Sequence, residues 1–119
     1  MGLSHDPNWL RAGNWISPVD SADFAIVGVG ASKSALTPNR AHKTPAAIRD
    51  ALLRYSTYNA AKDIDLAKSI AAGDLGDIRK PDDQDFAIEQ LVNLYQRAKT
   101  LVLLGGDNSI TYSGVAALL

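Results

Sequence analysis

Two short runs of apolar residues stand out along the chain and predict buried strands. Residues 24–30 and 101–104 are almost continuously apolar, and glycine ends each run. Runs of this length are too short for a helix, and a strand covered on both faces lacks polar alternation. Both segments are therefore predicted to be fully buried strands of a parallel sheet.

Two segments that flank these strands show helical spacing of their apolar residues. The first covers residues 45–55, with the Thr44 hydroxyl as a candidate N-cap and Pro45 at the first helical position. The other begins at Ile110 and follows the second apolar run. Each is predicted to be a helix that packs one apolar stripe on the sheet.

A further helix is predicted between them, beginning after Asp82 or Asp83, either of which can cap it. Arg97 and Lys99 are expected in its last turn, where cations interact favourably with the helix dipole. Its predicted core face, at spacings of three and four, consists of Phe86 or Ile88, Leu91, Val92, Tyr95 and Ala98.

The stretch 56–82 is the least regular part of the pattern. Residues 63–66 alternate between polar and apolar and predict a short edge strand, and residues 69–74 predict another strand before the glycines and Pro81. Strands and helices thus alternate along the chain. This alternation predicts an α/β fold with a largely parallel sheet and helices on both faces.

The domain organisation follows from the irregular start of the chain. Residues 1–22 are expected to form an N-terminal arm that packs the indoles of Trp9 and Trp15 on the rest, and residues 23–119 to form the α/β portion. The apolar helical pattern still continues at 115–119, without a capping glycine or a polar tail. We therefore expect this chain to be a piece of a longer α/β protein.

Composition removes several classes of function. With 12 basic and 13 acidic residues the formal net charge is −1, which gives no electrostatic footprint for nucleic acid or an anionic membrane. There is no cysteine, so disulfides, thiolate zinc sites and cysteine nucleophiles are excluded. No apolar stretch approaches the roughly 18 residues of a membrane span. The first residues have no cationic segment followed by an apolar one, so no secretory signal is expected. A soluble, cytoplasmic protein is expected.

Two loops follow the predicted strands and could carry chemistry, since ligands of open parallel sheets bind beyond the carboxyl ends of the strands. The loop 28–43 has glycines and Lys33, but it lacks the spacing of both the Walker and the dinucleotide-binding motifs. The loop 105–109, Gly-Gly-Asp-Asn-Ser, places oxygen ligands that suit Mn²⁺ or Mg²⁺. The alternative is that Asp107 or Asn108 only caps the following helix.

Three segments, in this order, resemble motifs of the ureohydrolase family, the arginases, agmatinases and formimidoylglutamases. Residues 44–49, Thr-Pro-Ala-Ala-Ile-Arg, are similar to its Gly-Pro-x-x-Ile-Arg helix start, and residues 74–78, Asp-Leu-Gly-Asp-Ile, to its Asp-x-Gly-Asp-Val segment. Residues 101–109 resemble its first signature, a strand followed by Gly-Gly-Asp-His-Ser. Together they cover roughly residues 24–119, and Gly-Gly-Asp-Asn-Ser-Ile-Thr resembles formimidoylglutamases most.

The resemblance implies a three-layer α/β/α fold with a mainly parallel sheet, of which this chain is the N-terminal part. It implies a site with two Mn²⁺ ions, which lower the pKa of a bridging water so that hydroxide attacks a guanidino, amidino or formimino carbon. It also implies a homo-oligomer that acts on a small-molecule substrate. N-formimino-L-glutamate is the substrate that fits best.

Asn108 departs from the family pattern, because it stands where the family has a metal-binding histidine. We expect weak coordination at most from its amide, with Gly105, Gly106, Asp107 and Ser109 shaping the loop. The family's other ligand segments, its catalytic histidine and its substrate-binding glutamate are not in this sequence. The isolated chain is therefore predicted to have no catalytic residue, to be inactive and not to bind two manganese ions.

Two basic residues, Lys33 and Arg40, lie in the loop that rims the mouth of the family's site and could contact a substrate carboxylate. The alternative is a solvated basic loop. Two other functions stay open at this point. One is a non-catalytic, ureohydrolase-like protein with an assembly role, and the other is a nucleotide-binding half-domain.

Overall fold

The computed structural model describes residues 8–119, as an α/β fold. The strands there are β1 (Ala22–Val29), β2 (Tyr58–Asn59), β3 (Ile64–Asp65), β4 (Ala72–Asp77) and β5 (Ala98–Gly105). The helices are α1 (Ala12–Trp15), α2 (Thr44–Leu52), α3 (Leu66–Ser69), α4 (Gln84–Tyr95) and α5 (Ser109–Ala116), with a 3-10 turn at Ala41–Lys43 before α2. In this part of the chain no helix is both long and apolar enough to span a bilayer.

The main sheet is parallel and has the order β4-β1-β5, so β1 lies at its centre. Ala25, Val27 and Val29 of β1 are fully buried, which confirms the prediction for the first apolar run. The prediction is wrong for the second run, because Val102 of β5 is 36% exposed. At the carboxyl end Gly28 pairs with Asp77, and Val29 pairs with Gly105. The register thus brings the loops that follow all three strands to one edge of the sheet.

Helices cover both faces of the sheet, as predicted. On one face Val27 and Val29 pack in a core with Ala87 and Leu91 of α4, joined at its margin by residues of α5. On the other face Ile26 borders a small cavity that also includes residues of α1 and α2. Side chains that alternate along β1 therefore enter two separate layers.

Two local predictions about the helices need correction, and a third is confirmed for one of its two candidates. Thr44 makes no capping hydrogen bond, because the 3-10 turn leads directly into α2 and Thr44 is already helical. Of the two candidate caps before α4, Asp83 accepts from the Phe86 amide at 3.2 Å. Arg97 and Lys99 do not lie in the last turn of α4, since that helix ends at Tyr95.

The core face of α4 also differs from the predicted set in part. Leu91 is fully buried and Tyr95 packs at the margin of the core, as expected. Ala87 is fully buried too, whereas Val92 is 42% exposed. Ala98 is the first residue of β5 rather than part of the helix.

The segment expected to form an edge strand, residues 63–66, does not lie at the edge of the main sheet. Part of the N-terminal arm lies there instead. β3 does not join the main sheet but forms a two-residue antiparallel hairpin with β2. The outer edge of β4 is taken instead by the arm, where the Val19 amide donates to the Asp74 carbonyl at 3.1 Å. The Trp15 indole donates to the Ile70 carbonyl at 3.2 Å, whereas Trp9 is 52% exposed and its ring contacts Arg11. The first seven residues of the arm lie outside the described part.

Arg49 of α2 joins two of the family-like motifs through its guanidinium. Its Nε and Nη2 donate to the two carboxylate oxygens of Asp74 at 2.7 and 2.9 Å, and its Nη1 donates to Asp77 at 2.6 Å. The hydrogen bond to Asp74 is the main cause that raises the pKa of Arg49 above its ordinary value. Gly28 leaves room for this arrangement, since a Cβ there would lie 1.8 Å from Asp77 Oδ1.

Replacing Arg49 by Lys should lower the free energy of unfolding by about 1–3 kcal/mol, because an ammonium cannot reproduce the bidentate geometry. Urea denaturation of the purified chain measures this. Arg54→Lys, at an exposed residue just after the same helix, is the matched control and should be nearly neutral. Equal effects of the two substitutions would contradict the role given to Arg49.

The two edges of the sheet differ, and this predicts self-association of the isolated chain. The arm covers part of the β4 edge, whereas within residues 8–119 no strand pairs with the outer edge of β5. Open edges and apolar surface, here Val102, Val115 and Leu118, promote association. On size exclusion the chain should elute above monomer size, and Val102→Lys should reduce this more than Val92→Lys. A well-behaved monomer would argue against it.

Candidate functional site

The loops after β1 and β5 meet at the carboxyl edge of the sheet. The Asp107 amide donates to the Ala31 carbonyl at 2.8 Å. Gly106 allows this close approach, because a Cβ there would lie 2.2 Å from the same carbonyl oxygen. Gly105 has a similar role toward α5, since its Cβ would lie 1.9 Å from Ile110 Cδ1. Both glycines therefore shape the loop.

The carboxylate of Asp107 is held by the loop around it. It accepts from the Ser34 amide at 3.0 Å and, from Ser109, the amide at 3.0 Å and the hydroxyl at 2.5 Å. The Ser109 hydroxyl bond is the main cause that lowers the pKa of Asp107 below its ordinary value. Asp107 is thus an anionic anchor that connects the β1 loop to the start of α5.

Asn108 lies three residues beyond the end of β5, directly before α5, and its side chain makes no capping hydrogen bond to that helix. The interpretation of Asn108 as a side-chain cap is therefore wrong, and Asp107 takes the amide of Ser109 instead. Asn108 is exposed and borders an open cavity of about 480 Å³. The lining residues are Ser34, Ala35, Leu36, Asn39, Ala41, Asp107, Asn108 and Ser109.

The donors present do not by themselves fit a manganese ion. In the described part of the chain no group of three or more His, Cys, Asp or Glu side chains is close enough to hold a metal. Asp107 already uses both carboxylate oxygens in hydrogen bonds. What remains at this edge is the amide of Asn108, a single neutral oxygen ligand.

Lys33 and Arg40 lie on the exposed surface of the loop between β1 and α2. Neither lines the cavity at Asn108, but Arg40 adjoins two residues that do, Asn39 and Ala41. The backbone amide of Lys33 donates to Asp82 at 2.8 Å. The structure therefore places both cations beside the cavity rather than in it.

Sequence reasoning missed Asp82 and Asn39 as parts of this site. Asp82 was considered only as a helix cap, but its carboxylate accepts from the backbone of the β1 loop. Asn39 accepts from the Ala41 amide at 2.9 Å and donates to the Ser32 carbonyl at 3.2 Å. One signal in the sequence points to Asp82, namely that it is adjacent to Asp83. A helix start needs only one capping side chain, so the second aspartate can have another role.

Replacing Ser109 by Ala should raise the pKa of Asp107 toward its ordinary value, as the main stabilising bond to the carboxylate is lost. An NMR pH titration of the side-chain carboxyl measures this. Because the pKa is lowered in the folded state, these bonds stabilise the fold above about pH 4, and that contribution is lost as the pH falls through the lowered pKa. Ser34→Ala keeps its backbone donor and should leave the pKa unchanged.

Comparison with known proteins agrees with the geometry of this edge. Residues 22–119 match the Arginase family. Curated formimidoylglutamases of Halalkalibacterium halodurans and Halobacterium salinarum are each 30% identical to the chain over 122 and 127 residues, covering 94% and 98% of it. The chain spans only 38% and 40% of their lengths.

Solved structures give the same assignment. The formimidoylglutamase of Bacillus subtilis superposes with a TM-score of 0.79 at 28% identity, covering 97% of this chain and 39% of that one. The proclavaminate amidino hydrolase of Streptomyces clavuligerus, at 19% identity and covering 95% of this chain and 41% of its own, shares the fold with a TM-score of 0.75. By the family match over most of its length, this chain belongs to the arginase family of hydrolases.

Proposed function

We propose that this chain is the N-terminal part of a ureohydrolase that hydrolyses a C–N bond of a formimino, guanidino or amidino substrate. The observation that carries the proposal is the glycine-rich loop 105–109 at the carboxyl edge of a parallel sheet, in a chain of the arginase family. The substrate we favour is N-formimino-L-glutamate. Its support is that three curated relatives at 30–32% identity are named formimidoylglutamase.

Manganese dependence is part of this proposal for the whole protein, although the described residues do not form a metal site. The chain spans about two-fifths of its curated relatives, so we propose that the carboxylate and histidine ligands come from outside it. Asn108 is the donor that this chain can add at the edge of β5. Its neutral amide would bind more weakly than an imidazole.

The proposal also gives Lys33 and Arg40 a role in binding the substrate. N-formimino-L-glutamate carries two carboxylates, and both cations lie in the loop next to the cavity at Asn108. We propose that they attract the anionic end of the substrate toward this edge. We also propose that the whole protein is a cytoplasmic homo-oligomer that binds neither nucleic acid nor a membrane.

One alternative keeps a specific observation in its favour. Asn108 replaces the histidine of the family motif, which would suit a non-catalytic protein with an assembly role. We do not propose the other alternative, a nucleotide-binding half-domain, because the chain belongs to the Arginase family.

Turnover assays on the whole protein test the proposal. It should release glutamate and formamide from N-formimino-L-glutamate, lose activity on treatment with a chelator and regain it with Mn²⁺. Agmatine and arginine, which would release urea, are the substrates for comparison. The isolated 119-residue chain should be inactive and hold no stoichiometric manganese by metal analysis. A metal-loaded whole protein that turns over none of these compounds would favour the assembly role.

A further inference from the structure

The start of the loop between β1 and α2 is held by two carboxylates from other parts of the chain. Asp82, which follows β4, accepts the successive amides of Ser32 and Lys33, each at 2.8 Å from Oδ1. Asp107, which follows β5, accepts the Ser34 amide at 3.0 Å. Three consecutive backbone donors are thus satisfied by anions that are far away in sequence.

The rest of the loop is held by the side chain of one of its own residues, Asn39. Asn39 bonds the carbonyls of Ser32 and Thr37 through Nδ2 and the amide of Ala41 through Oδ1. Gly30 permits the return of the chain, since a Cβ there would lie 2.9 Å from the His42 carbonyl oxygen. The loop has few apolar contacts, and Leu36 is fully exposed. Its conformation therefore depends on these polar bonds.

Five residues of this loop line the cavity at Asn108, namely Ser34, Ala35, Leu36, Asn39 and Ala41. Asp107 lines that cavity, whereas Asp82 does not. Removing Asp82 would therefore free the loop without changing a group that lines the cavity. One oxygen of Asp82 accepts from two adjacent amides, so its removal leaves both donors without this acceptor and should move the loop.

We propose that Asp82 is a positioning residue, which holds the 32–41 loop against the cavity at Asn108 and so sets how the non-reacting part of the substrate is bound. This inference rests on the proposed function for its substrate. It assigns to Asp82 an effect on substrate affinity that acts through the loop backbone. Asp83, one residue further, has the ordinary task of capping α4, which makes it a natural comparison.

The test uses Asp82→Ala, Asp82→Asn and Asp83→Ala in the whole protein. In Asp82→Ala, hydrogen exchange at the Ser32 and Lys33 amides should accelerate about tenfold or more, and KM should rise about tenfold with little change in kcat. Asp82→Asn keeps Oδ1 as an acceptor and should stay within about twofold of the parent KM. Asp83→Ala should lose stability but leave the loop exchange and KM unchanged.

The two readouts separate this inference from the proposed function. Unchanged exchange at Ser32 and Lys33 in Asp82→Ala would overturn the anchoring role, whatever the activity. An equal rise of KM in Asp83→Ala, or no rescue by Asp82→Asn, would overturn the positioning role. A parent protein that turns over no amidine would overturn the proposed function together with the effect on KM, while exchange would still decide whether Asp82 holds the loop.

Discussion

The interaction on which this fold most depends is the bidentate pair of Arg49 and Asp74, extended to Asp77. It attaches α2 to β4 across one face of the sheet, with the guanidinium hydrogen-bonded to both carboxylates and to the Gly76 carbonyl at 3.1 Å. A partly buried charge is stable there because its donors are satisfied. The pair also explains Gly28, whose missing side chain leaves the space that Asp77 occupies.

Charged side chains with satisfied hydrogen bonds also organise the carboxyl edge of the sheet. Asp82 and Asp107 both accept hydrogen bonds from backbone amides of the β1 loop, so they organise that loop. Such bonds hold a polar loop in one conformation where apolar packing is sparse. The described residues of this edge therefore form a shaped wall around Asn108, and under the proposed function the metal ligands come from outside this chain.

The main strands and the α/β class could be predicted from local sequence patterns. The runs at 24–30 and 101–104 identify two strands of the parallel sheet, because a strand covered on both faces has few polar positions. The second run does not predict that Val102 of β5 is 36% exposed. The order of the strands with the intervening helices predicts the α/β class. The short elements at 58–69 were harder, since two-residue strands leave almost no periodicity. In Asp82 and Asp83 the residue types indicate a cap but not which of the two provides it.

The sequence by itself determined the three strands of the main sheet, the main helices, the glycine-rich turn at 105–106 and, through its motifs, the arginase family, because each depends on neighbouring residues. Only the tertiary structure decided that Arg49 bonds Asp74 and Asp77, that Ser17–Val19 run along β4, and that Asp82 holds the loop beside Asn108. These contacts join residues 49 or more positions apart, except for the Arg49 pairs at 25 and 28. Their geometry follows from the register of the sheet, which no local pattern encodes.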